Sequence, residues 1–241
     1  MAGRHSSGSL TLITIDYFSD ILCVWAYGGQ VRLEELQREF GEKILVRHRF
    51  MPLFADTQTR IGDSWKKRGG FEGFGRHMQE LCAHWEHTRL NSDVWTRCRP
   101  SSCTTSHVFL KAAGLCLGLE QSDPPPDSEA RLLFERLIAQ TRLAFFEQAR
   151  DISDLAVLLD LLAETPLSAD AVRAKIDRGE AYAALHRDEH QMTSLGVSGS
   201  PTYVFNEGRQ LLYGNVGYRI IEANIRELMS CDRVEGEPSW C

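Results

Sequence analysis

From residue 10 to residue 18 the chain reads LTLITIDYF, where apolar and polar positions alternate with a β-branched bias; this period of two predicts a strand. Ser19 and Asp20 then offer N-cap chemistry, and beyond Cys23 the apolar residues Trp25, Val31, Leu33, Leu36 and Phe40 recur at helical spacing up to Gly41, a natural stop. A second run, ILVRHRFMPL at Ile44 to Leu53, predicts another strand. The opening is therefore β-α-β, with Cys23 at the first strand-to-helix turn.

After Pro52 the pattern changes. A stretch rich in Gly, Trp and charge precedes helical periodicities at His77 to His87 and, more strongly, Ser101 to Leu119. The DPPPD segment at Asp123 to Asp127 cannot continue a helix and reads as a stiff surface connection. Ser128 to Ala149, Ser153 to Ala163 and Ser168 to Arg178 predict three more helices, each opened by a serine, with Phe145, Phe146 and the leucines from Leu155 to Leu162 at core positions. β character returns at Thr202 to Phe205 and Gln210 to Tyr213 around Asn206-Glu207-Gly208, a hairpin signal, and an amphipathic helix from Ile220 to Met229 follows. No internal repeat or low-complexity tract is visible.

The chain has 241 residues, 43% of them hydrophobic, enough for one large domain or one domain with an insertion. Its net charge of -6 argues against a nucleic-acid partner, which needs clustered Lys and Arg; the basic run Trp65-Lys66-Lys67-Arg68 reads as solvated surface. No apolar run of membrane-spanning length occurs, and the N-terminal segment lacks a secretory pattern, so the expected compartment is the cytoplasm and no membrane partner is expected. Seven cysteines leave at least one thiol free in the monomer.

Two motifs, DYFSDILCVWAYGG at Asp16 to Gly29 and GVSGSPTYVFN at Gly196 to Asn206, together with the closing hairpin and helix, resemble the thioredoxin-like DsbA family. The resemblance is closest to its cytosolic FrnE-like branch and extends more distantly to 2-hydroxychromene-2-carboxylate isomerase and kappa-class glutathione transferases. It implies an α/β, thioredoxin-like fold with a large all-helical insertion. The expected thioredoxin-like domain is discontinuous, 10–55 and 179–230, with the insertion at 56–178 and flexible tails at 1–9 and 231–241. By the same resemblance Cys23 takes the place of the nucleophile of a Cys-x-x-Cys motif, and Ala26 that of the missing resolving cysteine. Pro201 is implied to be the cis-proline that faces the site, with Ser200 beside it to pair with an extended thiol peptide such as glutathione.

A helix N-terminus stabilises a thiolate and lowers thiol pKa values to roughly 3.5–7.5, whereas Asp20 opposes that shift. Trp25, Ala26 and Tyr27 are expected, with Ser200 and Pro201, to contact substrate. Without a second cysteine a mixed disulfide at Cys23 must wait for an external thiol or a distant cysteine, with Cys98 and Cys103 in CRPSSC the auxiliary redox pair to consider. The chain is thus expected to be a single-cysteine thiol-disulfide oxidoreductase that uses glutathione as co-substrate and acts on small or protein disulfides. The alternatives are a glutathione transferase or isomerase, and a non-catalytic binding protein. No tightly bound cofactor and no metal are expected: His186-Arg187-Asp188-Glu189-His190 and Cys82-x-His84-x-x-His87 mimic zinc motifs but lack further ligands and read as polar helix faces. A homodimer is left open.

Overall fold

The computed structural model describes residues 12–231. The expected tails, 1–9 and 231–241, lie outside these apart from Cys231, as do the first two residues of the expected opening strand.

Four strands, β1 (Ile13–Ser19), β2 (Ile44–Phe50), β3 (Thr202–Phe205) and β4 (Gln210–Tyr213), form one sheet in the order β2-β1-β3-β4. β1 runs parallel to β2 and antiparallel to β3, and β3 and β4 form the hairpin. Its corner places Asn206, Glu207 and Gly208 successively at φ 44°, 59° and 104°, a left-handed run in which glycine carries the largest excursion. The register sets Phe18 opposite Thr202. The chain leaving β1 toward Cys23 and the chain entering β3 from Pro201 are therefore neighbours, though 177 residues separate Cys23 from Ser200.

The alternation along β1 decides what covers each face. Ile13, Ile15 and Tyr17 pack with Leu33, Leu36 and Phe40 of α2 (Gln30–Phe40) and with Ile221, Ile225 and Leu228 of α9 (Tyr218–Cys231). Phe18 faces the other way, toward Val204, Val197 and the end of α8 (Glu180–Ser194). A larger cluster lies among α3 (Gly70–Cys82), α4 (Thr104–Cys116), α5 (Glu129–Phe146), α6 (Leu155–Asp160) and α7 (Ala169–Asp177); Phe145, Phe146 and Leu158 are fully buried there, and Cys23, Ala26 and Phe50 belong to it as well. The turn that carries Cys23 is thus packed under the helical block.

Local structure departs from the sequence pattern in several places. The helix expected to run from Cys23 to Gly41 is two, α1 (Val24–Gly28) and α2, which meet at Gly29. Trp85 explains the small residue just before this break: a Cβ on Gly28 would lie 2.4 Å from its ring. The helix expected at His77 to His87 starts earlier, at Gly70, and ends at Cys82 in a series of turns. Asp154, not Ser153, caps α6, its carboxylate accepting the Ala156 N–H, whereas Ser168 caps α7 through the Ala171 N–H.

Asp188, read from sequence as part of an exposed polar face, is buried. Its carboxylate lies 2.7 Å from Lys111 Nζ, accepts the Phe50 N–H and faces Arg49. Lys111 is itself fully buried and also meets Glu120 at 2.8 Å, so one ionic knot joins α4 to β2 and α8.

Candidate active site

Cys23 occupies the N-cap of α1 with extended backbone (φ −79°, ψ 116°), so its side chain sits where the first N–H groups of the helix are unpaired. Its Sγ donates to the carbonyl of Ser200 at 3.4 Å. The Ser200–Pro201 peptide bond is cis. Ser200 also accepts the Asp20 N–H on its hydroxyl at 3.0 Å, which leaves the hydroxyl proton free to point at the thiol.

Asp20 organises the turn. One carboxylate oxygen accepts the Leu22 N–H at 2.8 Å and the other accepts the Phe54 N–H at 2.7 Å, so the acid is held by both ends of the site while fully buried. His107, from α4, accepts the Ile21 N–H on Nε2 at 3.1 Å and stacks on Phe50. That bond fixes the neutral tautomer with its proton on Nδ1. Burial pushes the His107 pKa down to about 4, against the opposing pull of Asp20. Arg142 of α5 completes the support, donating to Ser19 at the end of β1. The roles of His107 and Arg142 were not drawn from the sequence; the available signal for His107 was Ser106, His107 and Lys111 along an otherwise apolar helix, where polar residues need buried partners.

The electrostatics reverse one expectation. Burial raises the Cys23 pKa, and Asp20 adds to the rise; the Ser200 hydroxyl and the N–H groups of Ala26 and Trp25 pull it back without winning. Only 3% of the residue is exposed, and desolvation of the anion at that depth exceeds the help of a five-residue helix. The thiol is therefore neutral at rest.

A cleft of about 780 Å³ opens above Cys23. Trp25, Ser198, Gly199, Ser200 and Tyr213 line it on the sheet side, and Phe54, Arg60, Trp65, Phe74, His77 and Met78 on the helical side. Trp65, expected on solvated surface, is half-buried in this wall. Gly199 is tight because the Tyr213 ring lies where its Cβ would be, at 2.3 Å.

Ala26 and Tyr27 do not line the cleft. Ala26 is fully buried, and Tyr27 turns away to stack on Phe146 while donating to Glu147 at 2.9 Å. Pro201 is buried and, unlike Ser200, is not among the residues that line the cleft.

Cys98 and Cys103 are unbonded thiols. Cys98 is half-buried, with its pKa pushed up to about 11 by burial, and Cys103 is sealed at the start of α4 beside Asp20, its pKa raised by burial first and by that carboxylate second. Asp20, Cys103 and His107 form the one group of three potential metal donors found among the described residues. Both Asp20 oxygens and the His107 Nε2 already accept backbone N–H groups, so these donors serve to hold the turn. His186 and His190 lie exposed on α8, and His87 meets the Gly28 carbonyl.

Comparison with known proteins places this arrangement. No curated protein sequence matches the chain. Among solved structures it is similar to a probable DsbA oxidoreductase from Streptomyces coelicolor (20% identity, 94% of each chain covered, TM-score 0.68). It is also similar to the cytosolic disulfide reductase DsbM from Pseudomonas aeruginosa in its structure with GSH (21% identity, 88% of this chain and 99% of that one, TM-score 0.63). A third likeness is to 2-hydroxychromene-2-carboxylate isomerase (13% identity, 91% and 97% covered, TM-score 0.57). At these identities the likeness is one of fold. The family model of the DSBA-like thioredoxin domain matches residues 14–226, nearly the whole chain, and the protein belongs to that family.

Proposed function

We propose that the protein is a thiol-disulfide exchange enzyme that works through one nucleophilic cysteine, Cys23, with glutathione as its co-substrate. The observation that carries this reading is the position of Cys23: its Sγ lies at a helix N-terminus, 3.4 Å from the Ser200 carbonyl, at the floor of an open cleft, while the residue one helical turn on is a buried alanine. An extended thiol peptide laid against Ser200 would present its sulfur to Cys23. Where that sulfur is one half of a disulfide, Cys23 gives up its proton and its thiolate attacks it; the S–S bond breaks, a mixed disulfide forms on Cys23, and the departing thiolate takes up a proton. A second glutathione thiolate then attacks the mixed disulfide, which regenerates Cys23 and yields oxidised glutathione. Cys103 is too enclosed to resolve the intermediate without a rearrangement, which favours the external thiol.

A cytosolic setting, where glutathione keeps thiols reduced, suits such a site. The second reading, glutathione transfer to an electrophile, is favoured by the aromatic wall facing Cys23. The two separate by experiment. Exchange requires that glutathione-dependent reduction of a model disulfide disappear in Cys23→Ser; transfer tolerates serine as a hydrogen-bond donor to the glutathione thiolate. Full reductase activity in Cys23→Ser contradicts the proposal.

A further inference from the structure

The cleft is much larger than the Cys23–Ser200 corner, and its two sides differ in chemistry. On the sheet side Trp25 and Tyr213 flank backbone groups and the hydroxyls of Ser198 and Ser200, a polar edge matched to an extended peptide. On the helical side it is aromatic: Trp65 stands edge-on to Phe74 at 5.0 Å and lies 5.2 Å from His77, while Phe54 packs on Phe74 at 6.3 Å. Trp65 is half-buried and lines the cleft, with the Arg68 guanidinium over its ring at 5.1 Å. Arg60 adds the polar element. Its guanidinium sits over the Phe54 ring at 5.1 Å and makes no ion pair among the described residues. The neighbouring Asp56 also lines the cleft and keeps its charge, but its two oxygens are turned to the N–H and the hydroxyl of Thr59 and not to the Arg60 guanidinium.

We infer that the substrate half exchanged against glutathione is an aromatic thiol carrying an anionic group, its ring against Trp65 and its charge at Arg60. The inference rests on the proposed exchange at Cys23 and names its substrate class. In the balanced reaction, Cys23 thiolate attacks the glutathione sulfur of a glutathione–aryl disulfide, the S–S bond breaks, and the aryl thiolate leaves along the aromatic wall. A second glutathione thiolate then breaks the Cys23 mixed disulfide. The aryl disulfide is reduced to the thiol and two glutathiones leave as the oxidised dimer.

The test uses the full-length protein and three glutathione mixed disulfides, with thionitrobenzoate, thiopyridine and mercaptoethanol as the second half. For each, the catalysed rate is divided by the rate with glutathione alone, which removes the difference in leaving groups. The expected acceleration is greater for both aryl substrates than for mercaptoethanol by about tenfold, an advantage that disappears in Trp65→Ala. Arg60→Gln, at an exposed position that leaves folding intact, lowers the thionitrobenzoate acceleration alone, by about fivefold. Equal acceleration of all three substrates, with Cys23 glutathionylated, overturns the aromatic site and leaves the exchange reaction standing. An aromatic preference that Arg60→Gln does not touch overturns the anionic half. No acceleration and no adduct at Cys23 removes the proposed exchange, and the inference with it.

Discussion

At the scale of single residues, the controlling fact is that Cys23 is neutral at rest. Burial is the largest cause, and its direction fixes the pH dependence: reactivity follows the thiolate fraction, so alkylation of Cys23 rises with pH through neutrality and shows no plateau below the ordinary thiol pKa. A rate constant for iodoacetamide that levels off in mildly acidic solution would contradict this. Ser200→Ala removes the hydroxyl that favours the anion and should move the profile further up. Ala26→Cys restores a second thiol one helical turn away. Because the site is fully buried, the added sulfur costs about 1–3 kcal/mol of stability, and the mixed disulfide with glutathione should stop accumulating in mass spectra. The Cys-x-x-Ala spacing and the Ser-Pro pair were legible in the sequence because they are local. The sign of the thiol shift was not, because a helix start can be read along the chain, whereas the depth beneath α4 and α5 depends on residues more than 80 positions away.

At the scale of elements, α4 is the strut of the site. His107 accepts the Ile21 N–H only while neutral, and its pKa is lowered from 6.5 to about 4. A lowered histidine means that the unfolded chain binds the proton more readily, so its contribution is complete above pH 6.5 and declines as pH falls toward 4. Over that window the loss is about 3 kcal/mol, and chemical denaturation across pH should show it in the native protein and a shallower slope in His107→Asn. Lys111 acts one turn further along. Lys111→Met leaves the buried Asp188 with only the more distant Arg49 at 3.5 Å as its cation, and should cost about 3 kcal/mol by urea unfolding, part of which returns in the double variant with Asp188→Asn. Strand and helix periodicities made β1, β2, α5, α7 and the hairpin readable. The break at Gly29 was hidden because the apolar spacing continues across it, and the Lys111–Asp188 pair was hidden because a charged run such as HRDEH looks solvated until its partner helix is placed.

At the scale of the whole molecule, the fold sets two walls around one thiol, a sheet-side wall that carries the Ser200 backbone and a helical wall that carries Arg60 and Trp65. β1 and β3 deliver Cys23 and Ser200 side by side through antiparallel register, and the helical block lays aromatic surface opposite them. The order β-α-β, helices, β-β-α suggested that plan in outline, yet the chain alone did not say which helical residues would reach the cleft: Arg60, Trp65 and Phe74 lie in or beside short π, 3-10 and glycine-led segments with weak periodicity. Such a cleft gives a single cysteine both a docking edge and a specificity wall, and it makes the thiol the element on which everything else depends. The most direct measurement is to incubate the reduced protein with oxidised glutathione at neutral and mildly alkaline pH, read the intact mass and map the adduct. One glutathione on Cys23, forming faster at the higher pH and released by reduced glutathione, is the predicted result. A folded protein whose Cys23 stays unmodified while other thiols react would contradict the account.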